Sequence, residues 1–128
     1  MKSLLSILII SASFSVKAFT IGTYNIRNFD YDQRYRISTD KNALTNIIRS
    51  LNADVLSVEE INNTKAFEVF VESKLPGYET VLTQCGGQHG QRLGFIYNAN
   101  KIDLLSFNED LTISNPGGQA TCDSGSRP

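Results

Sequence analysis

Two periods organise the chain. Apolar residues recur at helical spacing at Leu44, Ile47, Ile48 and Leu51, and again at Ala66, Phe67, Phe70, Val71 and Leu75, which predicts two amphipathic helices. Ser38, Thr39 or Asp40 caps the first and Asn52 ends it; Asn63 or Thr64 starts the second and Pro76-Gly77 stops it. Elsewhere the apolar residues come in runs too short for a helix, and 19–29, 53–61, 78–82, 93–97 and 102–107 are predicted strands. The order strand, helix, strand, helix and then three strands is an α/β rhythm. It makes the first two strands neighbours in one mixed sheet with flanking helices, and the last three an antiparallel run at the far side. The run 55–58 has no polar interruption beyond Ser57, so its strand is expected to be an inner one, covered on both faces.

The chemistry gathers where strands turn polar. The first passes into Asn25-Ile26-Arg27-Asn28 and the second into Glu59-Glu60. In an open α/β sheet, ligands sit beyond the carboxyl ends of the strands. Side chains alternate along a strand, so at most one of Glu59 and Glu60 is expected to enter a site there. The loop 30–36 that follows the first strand interleaves Tyr31 and Tyr35 with Arg34 and Arg36. A solvated loop with its rings packed on the sheet is the plain expectation, and a contact with a nucleic-acid backbone the functional alternative.

Asn25-Ile26-Arg27 at the end of one strand, Val58-Glu59-Glu60-Ile61 at the end of the next and Asp123-Ser124-Gly125-Ser126-Arg127-Pro128 near the end of the chain occur in one order. In that order they resemble the motifs of the endonuclease/exonuclease/phosphatase superfamily, most closely its deoxyribonuclease I-like nuclease branch. The likeness covers the first half of that family's fold, so it implies the N-terminal half of a two-sheet α/β sandwich over residues 19–128. On the matching positions it implies Glu60 as the metal ligand with Asn25 beside it, both serving catalysis, and Arg27 and Arg127 as phosphate or nucleic-acid contacts. Glu59 stands where the family has Gln. Gln91 stands where the nuclease branch has a Glu that supports a catalytic histidine. The implied activity is Mg²⁺-dependent hydrolysis of a phosphodiester backbone, DNA before RNA, with Ca²⁺ or Mn²⁺ as alternative ions. Because the family's catalytic histidines and remaining ligands belong to its second half, this chain alone is expected to be inactive or nearly so. Sphingomyelinase or inositol-phosphate phosphatase activity, found in the same superfamily, and a non-catalytic exported binding module are the rival expectations.

The first 18 residues change the picture of where this happens. Met1-Lys2-Ser3, an apolar run from Leu4 to Ile10 and Val16-Lys17-Ala18 form a signal-peptide pattern cleaved after Ala18, so a secreted or periplasmic monomer without a membrane span is expected. Cleavage removes Lys2 and Lys17 and no acid, leaving ten bases against thirteen acids, a net charge of −3. Such a chain has no general attraction to phosphate, and any nucleic-acid contact must be a local arrangement of arginines. In an exported chain the two cysteines, Cys85 and Cys122, are expected to pair with each other, which would stabilise the fold by about 3–4 kcal/mol, the alternatives being two free thiols or one thiol with a different partner. A zinc site is not expected from two cysteines and one loop histidine, His89.

Phosphodiester hydrolysis needs a nucleophilic water, neutralisation of charge on the phosphoryl oxygens and stabilisation of the leaving oxygen. Mg²⁺ takes oxygen ligands, one or two carboxylates among them, and keeps several waters, which suits Glu60 with an amide neighbour. Arginine offers a planar fork matched to phosphate oxygens, which suits Arg27 and Arg127.

Overall fold

The computed structural model describes residues 18–86 and 90–109. Residues 1–17 of the expected signal peptide, His89, Cys122 and the segment carrying Arg127 lie outside the described residues. Among the described residues eight elements follow one another: β1 (Ile21–Phe29), β2 (Tyr31–Asp32), β3 (Ile37–Ser38), α1 (Lys41–Leu51), β4 (Val55–Ile61), α2 (Thr64–Lys74), β5 (Tyr78–Leu82) and β6 (Arg92–Asn98). Four strands form a mixed sheet in the order β1-β4-β6-β5, with β1 parallel to β4 and the other pairs antiparallel. The fold is therefore α/β, and the two polar-ended strands are neighbours as expected.

Local chemistry sets the helix ends. Asp40 is the N-cap of α1, its carboxylate accepting from the backbone N–H groups of Asn42 and Ala43, and Asn52 closes the helix in the left-handed region. Asn63 caps α2 by accepting from Ala66 N–H. The buried stripe of α2 is Phe67, Phe70 and Val71, with Leu75 just beyond it, as its periodicity predicts. In α1 the stripe is narrower than predicted: Leu44, Thr45 and Ile48 are buried, while Ile47 and Leu51 are exposed. Those two sit on the flank of the helix rather than over the sheet.

Both helices share one core with Leu56, Val58, Ile61 and Ile96. Phe29, Phe67 and Phe70 form its centre, with Phe29 and Phe67 edge to face at 5.0 Å. Hence β4 is an inner strand but is not covered on both faces. Its Leu56 and Val58 face the helices, and Val55, Ser57 and Glu59 on the other side are half-buried. At Gly94 of β6 a Cβ would lie 2.3 Å from the Val81 carbonyl oxygen, so only glycine allows β5 to approach this closely.

Two further expectations are corrected. Residues 102–107 form no strand: β6 is already paired on both edges, and the run continues as an extended segment with Leu105 94% exposed. That segment is fastened at two points, Phe107 edge-on to Phe95 and the Glu109 carboxylate accepting from the N–H groups of Gln84 and Cys85. The loop 30–36 is not irregular either. β2 and β3 pair across it, and the Asp32 side chain turns the chain by accepting from Arg34 and Tyr35 N–H. Asp54, 3% exposed, ties the sheet's opposite end by accepting from Thr20 N–H and from Lys101 Nζ at 2.6 Å.

Candidate metal and phosphate site

Two bulges face each other at the carboxyl ends of β1 and β4. Between Val58 and Ile61, β4 carries one residue more than β6, and Glu60 takes φ +61°. Between Asn25 and Phe29, β1 carries two residues more than β4, and Arg27 and Asn28 take φ +60° and +53°. Non-glycine residues in this region cost about 1–2 kcal/mol each, so three of them at one end of the sheet mark a place held by its surroundings. Below them Phe29 is wholly buried, and its carbonyl accepts from both Asn62 and Asn63 N–H.

The bulge in β4 corrects the expectation that one carboxylate at most would enter the site. With an extra residue in the strand the alternation breaks, and Glu59 and Glu60 both reach back to β1. Glu59 Oε1 accepts from Thr23 Oγ1 at 3.1 Å and Glu60 Oε1 from Asn25 Nδ2 at 2.9 Å. Thr23 and Asn25, two apart on β1, share one face. The Asn25 amide has only one possible orientation, because its Oδ1 accepts from the Arg27 backbone N–H at 2.8 Å, a group that can only donate. Asn25 therefore turns its N–H toward Glu60.

Asn25, Arg27, Glu59 and Glu60 line one groove of about 1130 Å³, whose opposite wall is β2 and the turn that leads from it to β3. Arg27 crosses between the walls: its Nε donates to Asp32 Oδ2 at 3.0 Å, and its Cζ lies 4.3 Å from the centre of the Tyr35 ring. Burial alone would raise the Asp32 carboxyl, but the N–H of Tyr35, the Arg27 guanidinium and the N–H of Arg34 outweigh it and hold the group below the usual carboxylate range. Asp32 thus stays ionised and keeps Arg27 in place. At the rim, Asn28 Oδ1 accepts from Asn62 Nδ2 and from Gln91 Nε2 at 2.7 Å, so Gln91 braces the bulge of β1.

Of the residues singled out from sequence, Asn25, Arg27 and Glu60 come together here, with Gln91 alongside. Arg127 and Cys122 lie outside the described residues. Cys85, in the loop after β5, is not a free thiol. Asn28, Asp32, Asn62 and Thr23 were not foreseen; the Asp-x-x-Tyr turn at Asp32 was the signal available. Among the described residues no three His, Cys, Asp or Glu side chains cluster as a cage for an ion, and no helix is long and apolar enough to cross a membrane. The donors at the groove floor are carboxylate oxygens, the set that suits a hard ion keeping most of its water. Compared with known proteins, the chain matches no family model, no curated protein and no solved structure.

Proposed function

We propose that this chain is the metal- and phosphate-positioning half of an exported, Mg²⁺-dependent phosphodiesterase that cuts nucleic-acid backbone, with a deoxyribonuclease I-like sandwich as its complete fold. One observation carries the proposal: two opposed bulges bring Glu59 and Glu60 into a groove across which Arg27 reaches to Asp32 and Tyr35. Carboxylates on one side and a fixed guanidinium on the other suit an anionic ester bridging a cation and an arginine.

Glu60 would hold Mg²⁺, which when bound supplies charge neutralisation at the phosphoryl oxygens. Asn25 orients the Glu60 carboxylate by donating to one of its oxygens, and has a lone pair left on Oδ1 for a second contact. Glu59, held by Thr23, keeps the groove floor negative. Arg27, fixed by Asp32 and Tyr35, has its remaining N–H groups for phosphate. Arg127 would add a second guanidinium, the Cys85–Cys122 bridge would tether the segment that bears it, and the leader 1–18 would export the chain.

The test is a Mg²⁺ titration by calorimetry of the chain and its Glu60→Gln variant, followed by assay on DNA, RNA, sphingomyelin and inositol phosphates of the complete enzyme of which this chain is proposed to be one half. Loss of Mg²⁺ binding in the variant, with cleavage of DNA, is the expected result. Unchanged Mg²⁺ binding in the variant would overturn the assignment of Glu60, and cleavage of the lipid or the inositol phosphates alone would move the substrate class.

A further inference from the structure

The ribbon wall of the groove has a composition that the metal site does not explain. Arg34 and Tyr35 are exposed at its turn, and Arg34 Cζ lies 5.3 Å from the centre of the same ring that holds Arg27 at 4.3 Å. One tyrosine thus carries two guanidinium groups. Their carboxylate environment is asymmetric. Arg27 is paired with Asp32, the neighbouring Asp30 is paired with Lys41 at 3.1 Å, and Asp40 is engaged as the cap of α1. Arg34 makes no ion pair among the described residues, although it lines the groove. Arg36, two residues on, is also exposed and lies outside the groove lining.

From this we infer that the Arg27–Tyr35–Arg34 stack is a backbone clamp: Arg34 binds the phosphate next to the one engaged at the metal site and thereby selects polymeric nucleic acid over isolated phosphate esters. The inference rests on the phosphodiesterase reading of the groove and names the part of the substrate lying beyond the scissile ester. Like-charged guanidiniums repel; Asp32 offsets the charge of Arg27, whereas the charge of Arg34 has no carboxylate partner among the described residues and is left for an anion in the groove. The ring supplies a flat, rigid support that holds both forks in a fixed relation, and it makes Tyr35 a positioning residue. An anionic membrane fits the same arginines less well, because the groove is concave and floored by Glu59 and Glu60, which a sheet of anionic headgroups would meet face on.

The experiment is fluorescence anisotropy of a labelled single-stranded DNA with the full chain, in EDTA and in Mg²⁺, over a range of salt. Arg34→Ala is expected to weaken binding about tenfold and to reduce the slope of log affinity against log salt by roughly 0.7, the value for one phosphate contact on a single strand. Arg36→Ala removes the same charge outside the groove and is expected to bind within about twofold of the parent. Tyr35→Leu should resemble Arg34→Ala, while Tyr35→Phe, which keeps the ring, should restore parental affinity. Competition by inorganic phosphate should be the same in parent and Arg34→Ala. Equal losses in the Arg34 and Arg36 variants, or an unchanged salt slope in Arg34→Ala, would overturn the clamp. So would sedimentation with phosphatidylserine vesicles that depends on Arg34 while DNA binding does not. Clamp and metal site fail separately: Arg34-dependent binding in EDTA beside Mg²⁺ binding indifferent to Glu60→Gln sinks only the metal assignment, and the reverse pattern sinks only the clamp.

Discussion

Asn25 and Glu60 are joined by a hydrogen bond of 2.9 Å across 35 residues of sequence, and the amide that makes it is locked by the backbone N–H of Arg27. The carboxylate is therefore presented by a partner that cannot flip. Replacing Asn25 by Ala should leave the fold intact, as read by circular dichroism, and lower Mg²⁺ affinity about 10–100-fold, the usual cost of losing a group that orients a metal ligand. Calorimetry giving parental affinity for Asn25→Ala would remove Asn25 from the site.

Glu60 holds a left-handed backbone conformation that a side chain disfavours. Both Glu60→Gly and Glu60→Ala lose the carboxylate and its bond to Asn25, so their difference isolates the backbone. Urea denaturation should find the glycine variant more stable by about 1 kcal/mol. If alanine proves the more stable, the conformation at residue 60 is not strained in solution.

Phe29 anchors the bulge of β1 to α2 by its ring and its carbonyl. Truncation to Ala should cost about 3–5 kcal/mol, a large part of the 5–15 kcal/mol typical of a whole domain. A loss under about 1 kcal/mol, measured in urea, would mean that the aromatic cluster does not hold the two elements together.

Stability should also fall on the acid side through Asp54. Its hydrogen bonds from Lys101 and from Thr20 N–H hold its carboxyl below the ordinary range, against the effect of burial. The folded chain thus binds this proton less tightly than the unfolded chain. The pair contributes fully above the ordinary value of about 3.9 and is lost as the pH drops below it, through the lowered folded-state pKa. Melting temperatures taken from pH 7 to 3 should show a flatter acid limb for Asp54→Asn than for the parent. Parallel curves would assign the acid loss to other carboxylates.

What the sequence disclosed and what it hid have separate physical causes. The strand ends at Asn25 and Glu60 were legible because apolar runs stop there against unmasked polar groups, and α2 was legible because a full helical stripe is buried. The bulges were not. One extra residue leaves the composition of a strand unchanged, and Glu60 is not a residue type that advertises a left-handed backbone, although Asn28 is. Without the bulge, alternation sends Glu59 and Glu60 to opposite faces, which is why only one was expected in the groove. Residues 102–107 have the apolar character of a strand, but pairing also requires a vacant ladder edge, and β6 has none to offer.

The parallel pairing of β1 with β4 also bears on how the groove comes into being. Parallel neighbours cannot be joined by a tight turn, so Asn25 meets Glu60 only once α1 has carried the chain back across the sheet. The closure of that loop precedes any contact that rewards it, and contacts of this kind form slowly. No local segment holds even a rudimentary version of the pair. Its appearance during refolding therefore times the docking of β1–α1–β4 as a unit, and a probe at Asn25 would report that event rather than the earlier formation of the helices.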